Sequence, residues 1–176
     1  ALVGPFAEDC DNLEGCWSLF GDKHIQVNLA DGLRAAMADG NDLLVVPGCG
    51  FEEVIDGGFE AAVAAAHQAD VVLLAVGEPQ NYSGEAQSRH QIVLPAVQQR
   101  LAEAIAATGK PVVVLLRNGR ALALEGAVRD AAAIVVTWFL GSQTGTAVAD
   151  VVFGDFNPAG KLPVSFPSLA GQQPLY

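Results

Sequence analysis

The chain has 176 residues, enough for one domain with a sizeable core and too few for two comfortable ones. A net charge of −11, with nine Lys and Arg in total, excludes a nucleic-acid surface, which needs clustered positive charge. The apolar fraction of 51% never gathers into the unbroken run of about 18 residues that a membrane span requires, so no membrane insertion is expected and the apolar residues read as sheet core.

The opening "ALVGP" reads as a strand ended by a Gly-Pro break, followed by a loop of about twenty residues. Asn28 to Gly40 carries Leu29, Leu33, Ala36 and Met37 at helical spacing and stops at a glycine. "DLLVVPG" predicts a second strand, "GFEAAVAAAHQA" an alanine-rich helix and "DVVLLAVG" a third strand. After a polar loop from Gly77 to Pro95, "LPAVQQRLAEAIAATGK" sets Leu94, Val97, Leu101 and Ile105 on one helical face before another glycine. "PVVVLLRNG" predicts strand four, "EGAVRDAA" a short helix, "AAIVVTWFLG" strand five and "SQTGTAVADVVFG" an amphipathic helix. The tail "GKLPVSFP" alternates but holds two prolines, which confine it to a sheet edge or a final extended strand, parallel or antiparallel. Continuous apolar strands alternating with helices predict one α/β domain over residues 1–176. Its expected form is a three-layer sandwich: a mostly parallel sheet of about six strands with helices on both faces.

In such folds the ligand crevice lies beyond the carboxyl ends of the strands. The loop from Gly77 to Pro95 follows strand three and runs about fifteen residues before its helix, against the usual two to six. In its middle sits Glu85, with Tyr82, Gln87, Ser88, Arg89 and His90 around it as an orienting, hydrogen-bonding shell. A carboxylate there acts as a general acid if its surroundings raise its pKa, whereas tight pairing with Arg89 would lower it. A solvated surface glutamate is the plainer reading. Trp138 and Phe139 end strand five, where an aromatic face either stacks on a sugar ring or closes the core. Tyr82, Arg89 and Trp138 are the candidate substrate-binding residues.

Other chemistries find less support. "GCGFEE", Gly48 to Glu53, half matches a dinucleotide fingerprint, but Glu52 and Glu53 would repel a pyrophosphate, and Pro5 in "GPFAED" has no N–H to offer a phosphate. No cofactor is expected. His24, His67 and His90 lack metal-ligand spacing, so no metal is expected, and no G-x-S-x-G elbow occurs. Cys10, Cys16 and Cys49 form neither a disulfide framework nor a zinc site, leaving a Cys10–Cys16 bridge open.

Taken together, "VGEPQNYSGEAQSRHQIVLP", "TGKPVVVLLRNGRALAL", "TWFLGSQTGTAVADVVFGDFNPAGKLPVSFP" and the opening "LVGPFAE" resemble the C-terminal α/β-sandwich domain of family 3 glycoside hydrolases, the β-glucosidase-like enzymes. The resemblance runs nearly end to end. It implies a parent enzyme whose N-terminal (β/α)8 barrel, absent here, supplies an aspartate nucleophile and most sugar contacts. This domain then contributes the acid/base glutamate, which the resemblance puts at Glu85 in "GEAQSR", with Glu78 as its competitor. Glu78 directly follows the strand glycine and suits a structural hydrogen bond better. The implied reaction is retaining hydrolysis of β-glucosides or oligosaccharides, with a periplasmic or secreted location. The chain opens mid-strand without methionine, as an excised fragment would, and alone it is expected to be inactive. Two other classes compete: a carbohydrate-binding or scaffold domain without chemistry, and a flavodoxin-like nucleotide module. Glycan affinity indifferent to Glu85→Gln would favour the first, and a nucleotide-induced thermal shift the second.

Overall fold

In the computed structural model, which describes residues 1–39 and 42–172, five strands and five α-helices form among the described residues. They run β1 Leu2–Val3, α1 Leu29–Ala36, β2 Val45–Val46, α2 Gly58–Gln68, β3 Val72–Gly77, α3 Ala96–Ala106, β4 Val112–Arg117, α4 Gly126–Arg129, β5 Ala133–Val136 and α5 Thr144–Phe153. The sheet order is β2-β1-β3-β4-β5 and every pairing is parallel.

Strand alternation divides the core into two. Val72, Leu74 and Val76 of β3 pack with Ala62 and Ala66 of α2, Val97, Leu101 and Ile105 of α3 and Val128 of α4. Leu73 and Ala75 face the other way, onto Leu29 and Leu33 of α1 and Val148 and Ala149 of α5. Three layers result, and strands buried on both faces explain why their sequences read as unbroken apolar runs. Asn28 caps α1, its Oδ1 accepting from the Asp31 N–H at 2.9 Å. The helix ends at Ala36, and the glycine stop expected at Gly40 lies outside the described residues.

The sixth strand does not form. Residues 160–167 lack strand pairing, because Pro163 and Pro167 have no N–H to give a ladder. The tail instead inserts side chains: Phe166 packs against the α2/α3 core and Pro167 is buried. Cys10 and Cys16 are both free thiols, so the bridge left open by their spacing is not made.

Two devices root the long loop in this frame. Gly77 closes β3 at φ 146°, and a Cβ there would lie 1.7 Å from the Arg117 carbonyl oxygen, so only glycine keeps β3 against β4 as the chain turns away. Fully buried Gln98 of α3 accepts from the Gly77 N–H at 2.8 Å and donates to the carbonyls of Gly77 and Phe51, both at 2.9 Å. One side chain thus ties the loops after β2 and β3 to a helix.

Candidate active site

The loops after β1, β3, β4 and β5 gather at the carboxyl edge of the sheet. Arg117, at the end of β4 and 2% exposed, donates from Nη1 to Asp9 Oδ2 at 2.9 Å and lies 4.7 Å from the Phe6 ring centroid. Burial pulls its pKa down to about 10, against the attraction of Asp9. Asn12 donates to Asp9 Oδ1 at 2.7 Å and accepts from the Gln80 N–H at 2.9 Å. Through this relay the β1 loop is held against the start of the β3 loop.

Between those two loops lies a cleft of about 380 Å³, bordered by Cys16, Trp17, Ser18, Gln80, Asn81 and Glu85 among others. Glu85 is exposed on a turn in which the Gln87 N–H reaches the Gly84 carbonyl at 3.4 Å. Ala86 carries φ 59°, the positive value that a type II turn asks of its third residue, where alanine stores strain that glycine would not. Among the described residues, the Glu85 carboxylate makes no hydrogen bond or ion pair. Trp17 is 70% exposed and presents an indole to the same cleft.

Tyr82 and Arg89 come together on a neighbouring network rather than on the cleft wall. The Tyr82 hydroxyl donates to Glu52 Oε1 at 2.6 Å, and the Arg89 guanidinium lies 4.0 Å from the Tyr82 ring centroid. Arg89 also reaches Glu52 Oε1 through Nη2 and Glu78 Oε1 through Nε, each at 3.5 Å. Glu78 is 0% exposed, and its Oε2 accepts from Arg120 Nε at 3.0 Å. Arg120 Nη2 donates in addition to the Tyr82 carbonyl. Burial raises the Glu78 pKa above the usual carboxylate range, with Arg120 and Arg89 opposing it. Burial, then the bond to Glu52, raises that of Tyr82.

Trp138 lies apart from both groups. It follows β5 with φ 50° and packs edge-on against Phe166, ring centroids 5.9 Å apart at 75°. The structure therefore joins Tyr82 to Arg89, sets Glu85 on the cleft, and gives Trp138 a core partner. Among the described residues no three His, Cys, Asp or Glu side chains gather as a metal would need, and no helix is long and apolar enough to cross a membrane.

Sequence reasoning missed Trp17, Glu52, Arg120 and the Asp9–Arg117 pair. A tryptophan in a glycine-flanked loop after a strand was a usable signal for Trp17. The acidic "GCGFEE" turn was read only as repelling phosphate, whereas Glu52 binds Tyr82 and Arg89.

The whole chain, residues 1–176, matches the family model described as the glycosyl hydrolase family 3 C-terminal domain. It is 41% identical over 196 residues to a periplasmic beta-glucosidase of Salmonella typhimurium, covering 100% of this chain and 26% of that protein. A beta-xylosidase of Formosa agariphila is 37% identical over 179 residues, covering 99% of this chain and 25% of its own. The crystal structure of a beta-glucosidase from Listeria innocua in complex with isofagomine superposes with a TM-score of 0.92 at 38% identity, covering 99% of this chain and 24% of that one. The chain thus spans about a quarter of the length of these relatives. With its parallel sandwich and its match from end to end, the chain belongs to the glycosyl hydrolase family 3 C-terminal domain family.

Proposed function

We propose that this chain is the C-terminal α/β domain of a longer retaining β-glycosidase, and that it lends Glu85 as acid/base to a site completed by an N-terminal (β/α)8 barrel. Relatives about four times longer support the larger parent. The observation that carries the assignment of Glu85 is a contrast of exposure. Glu78 is fully buried against two arginines, whereas Glu85 stands exposed at a cleft on the carboxyl edge of the sheet.

A barrel carboxylate attacks the anomeric carbon as Glu85 protonates the departing glycosidic oxygen. The C–O bond breaks and a covalent glycosyl-enzyme forms. Glu85, now a carboxylate, takes a proton from water, which displaces the enzyme carboxylate and releases the sugar. The two carboxyl groups must stand about 5–5.5 Å apart for this course. Trp17 offers a face on which a sugar ring can lie, whereas Tyr82 and Arg89 sit on the network beside the cleft and Trp138, packed against Phe166, lies apart from it.

β-Glucosides or oligosaccharides are the substrate class, and the periplasm or the exterior the location; the Salmonella relative, named a periplasmic beta-glucosidase, supports both. The 176-residue chain alone should not turn over an aryl β-glucoside, since it holds half of the site. Turnover by it that Glu85→Gln abolishes would overturn the shared-site reading. In the full-length enzyme, Glu85→Gln should cripple hydrolysis of poor leaving groups and spare the first step on activated ones. Equal loss on both would make Glu85 structural.

A further inference from the structure

We propose that Glu78 is a positioning residue for Glu85: one buried carboxylate that, through Arg120 and Arg89, ties down both stems of the turn carrying Glu85. This rests on the reading of Glu85 as the acid/base. Glu78 is rigidly placed, its N–H donating to the Arg117 carbonyl at 2.8 Å where β3 and β4 end. From there one tie runs through Arg120, which bonds Glu78 Oε2 and the Tyr82 carbonyl, three residues before Glu85. The other runs through Arg89, four residues after Glu85, whose Nε faces Glu78 Oε1 at 3.5 Å.

Arg120 is itself braced. The Asn118 side chain donates to its carbonyl at 2.6 Å, and the turn at Gly119 lies so close to Ser83 that a Cβ would meet Ser83 Oγ at 2.2 Å. The segment from Tyr82 to Arg89 is thereby cinched onto the sheet, while the Gly84–Gln87 turn at its tip stays open to the cleft.

The chemistry calls for a carboxylate at residue 78. Two guanidiniums, donors only, each face one oxygen of Glu78: Arg120 Nε hydrogen-bonds Oε2 at 3.0 Å, and Arg89 Nε pairs with Oε1 as an ion pair at 3.5 Å without a hydrogen bond. Glutamine has one acceptor oxygen, and its NH2 would face the other guanidinium whichever way the amide turned. Glu78→Gln therefore breaks one tie in either orientation. Glu78→Asp keeps both oxygens, set back by one methylene.

The test uses the full-length enzyme, comparing kcat on an alkyl β-glucoside with the pre-steady-state burst on a dinitrophenyl β-glucoside, which needs no proton to leave. Glu78→Gln should lower kcat on the alkyl substrate roughly tenfold to a hundredfold, since misplacing a reacting group by about 1 Å costs on the order of a hundredfold. KM should stay within about twofold and the burst near the wild-type rate, because only transition-state proton transfer is impaired. Glu78→Asp should recover part of the loss. Arg89→Gln, altering a side chain 28% exposed, should fold and show a smaller loss of the same kind.

Equal losses on both substrates, or wild-type kinetics, in Glu78→Gln would overturn the proposal. If that variant does not fold, the same outcomes in Arg89→Gln overturn it. Glu85→Gln run alongside separates the two claims. Should it show no leaving-group dependence, the acid/base reading fails first and takes this proposal with it.

Discussion

Arg117→Met puts the sharpest strain on the architecture around the cleft. The substitution keeps an apolar stem of similar reach but strands the Asp9 carboxylate, 9% exposed, without the cation that balances it at 2.9 Å. Removing one partner of a buried pair costs about 3–5 kcal/mol, mostly because the other charge stays buried. At about 2.1 cal/mol/K per residue, a 176-residue chain has an unfolding entropy of roughly 0.37 kcal/mol/K, so the melting temperature should fall by about 8–14 °C. Calorimetry on the 176-residue chain measures this. Adding Asp9→Asn removes the stranded charge and should recover about 1.5–3 kcal/mol, a coupling typical of residues sharing a network. A single-variant loss below about 1 kcal/mol, or strict additivity in the double variant, would refute the argument that the pair holds the β1 loop in place.

Glu78 makes a prediction about pH. Burial pushes its pKa up from 4.5 against the pull of Arg120 and Arg89, so only between 4.5 and that raised value does the folded chain hold a proton there that the unfolded chain has released; above it the carboxylate forms. Its contribution to stability is fully present below 4.5 and is lost as pH rises through the raised folded value. Glu78→Gln has no such slope, so its urea midpoint relative to wild type should climb as pH increases from 4.5; a gap that stays level or narrows would mean that the arginines outweigh burial. Cys49, fully buried and with its thiol pushed up to about 11 by burial and then by Glu53, should resist iodoacetamide at pH 8 in the folded chain. Mass spectrometry reads its modification directly, and a denaturing thiol count of three checks that Cys10 and Cys16 are unbridged.

The order of strands and helices was legible because β3 and β4 are buried on both faces, and a continuous run such as "VVLLAV", bounded by Asp70 and Gly77, is too short to span a membrane and fits a strand covered on both sides. The tail was not legible as coil. Its alternation mimicked a strand, but Leu162 and Val164 are exposed, and only Phe166 finds a partner, the Trp138 ring. Glu85 was visible as a carboxylate in an overlong loop and was preferred to Glu78, which directly follows the strand glycine; the contrast between a buried Glu78 and an exposed Glu85 was not legible, because burial is a tertiary property. The same holds for Glu52 and Arg120, whose partners lie 30 and 42 residues away in sequence. Spacing rules that work within a helix or strand carry no information across such separations.

The most direct test of the central claim is chemical rescue of Glu85→Ala in the full-length enzyme. With the acid/base gone, a dinitrophenyl β-glucoside should still glycosylate the barrel nucleophile but should stall there, since water lacks its base. Azide needs no base, so it should restore turnover and yield a β-glucosyl azide of retained configuration. Failure of azide to accelerate turnover, or an unimpaired Glu85→Ala enzyme, would contradict the assignment of Glu85 as the acid/base of a retaining site.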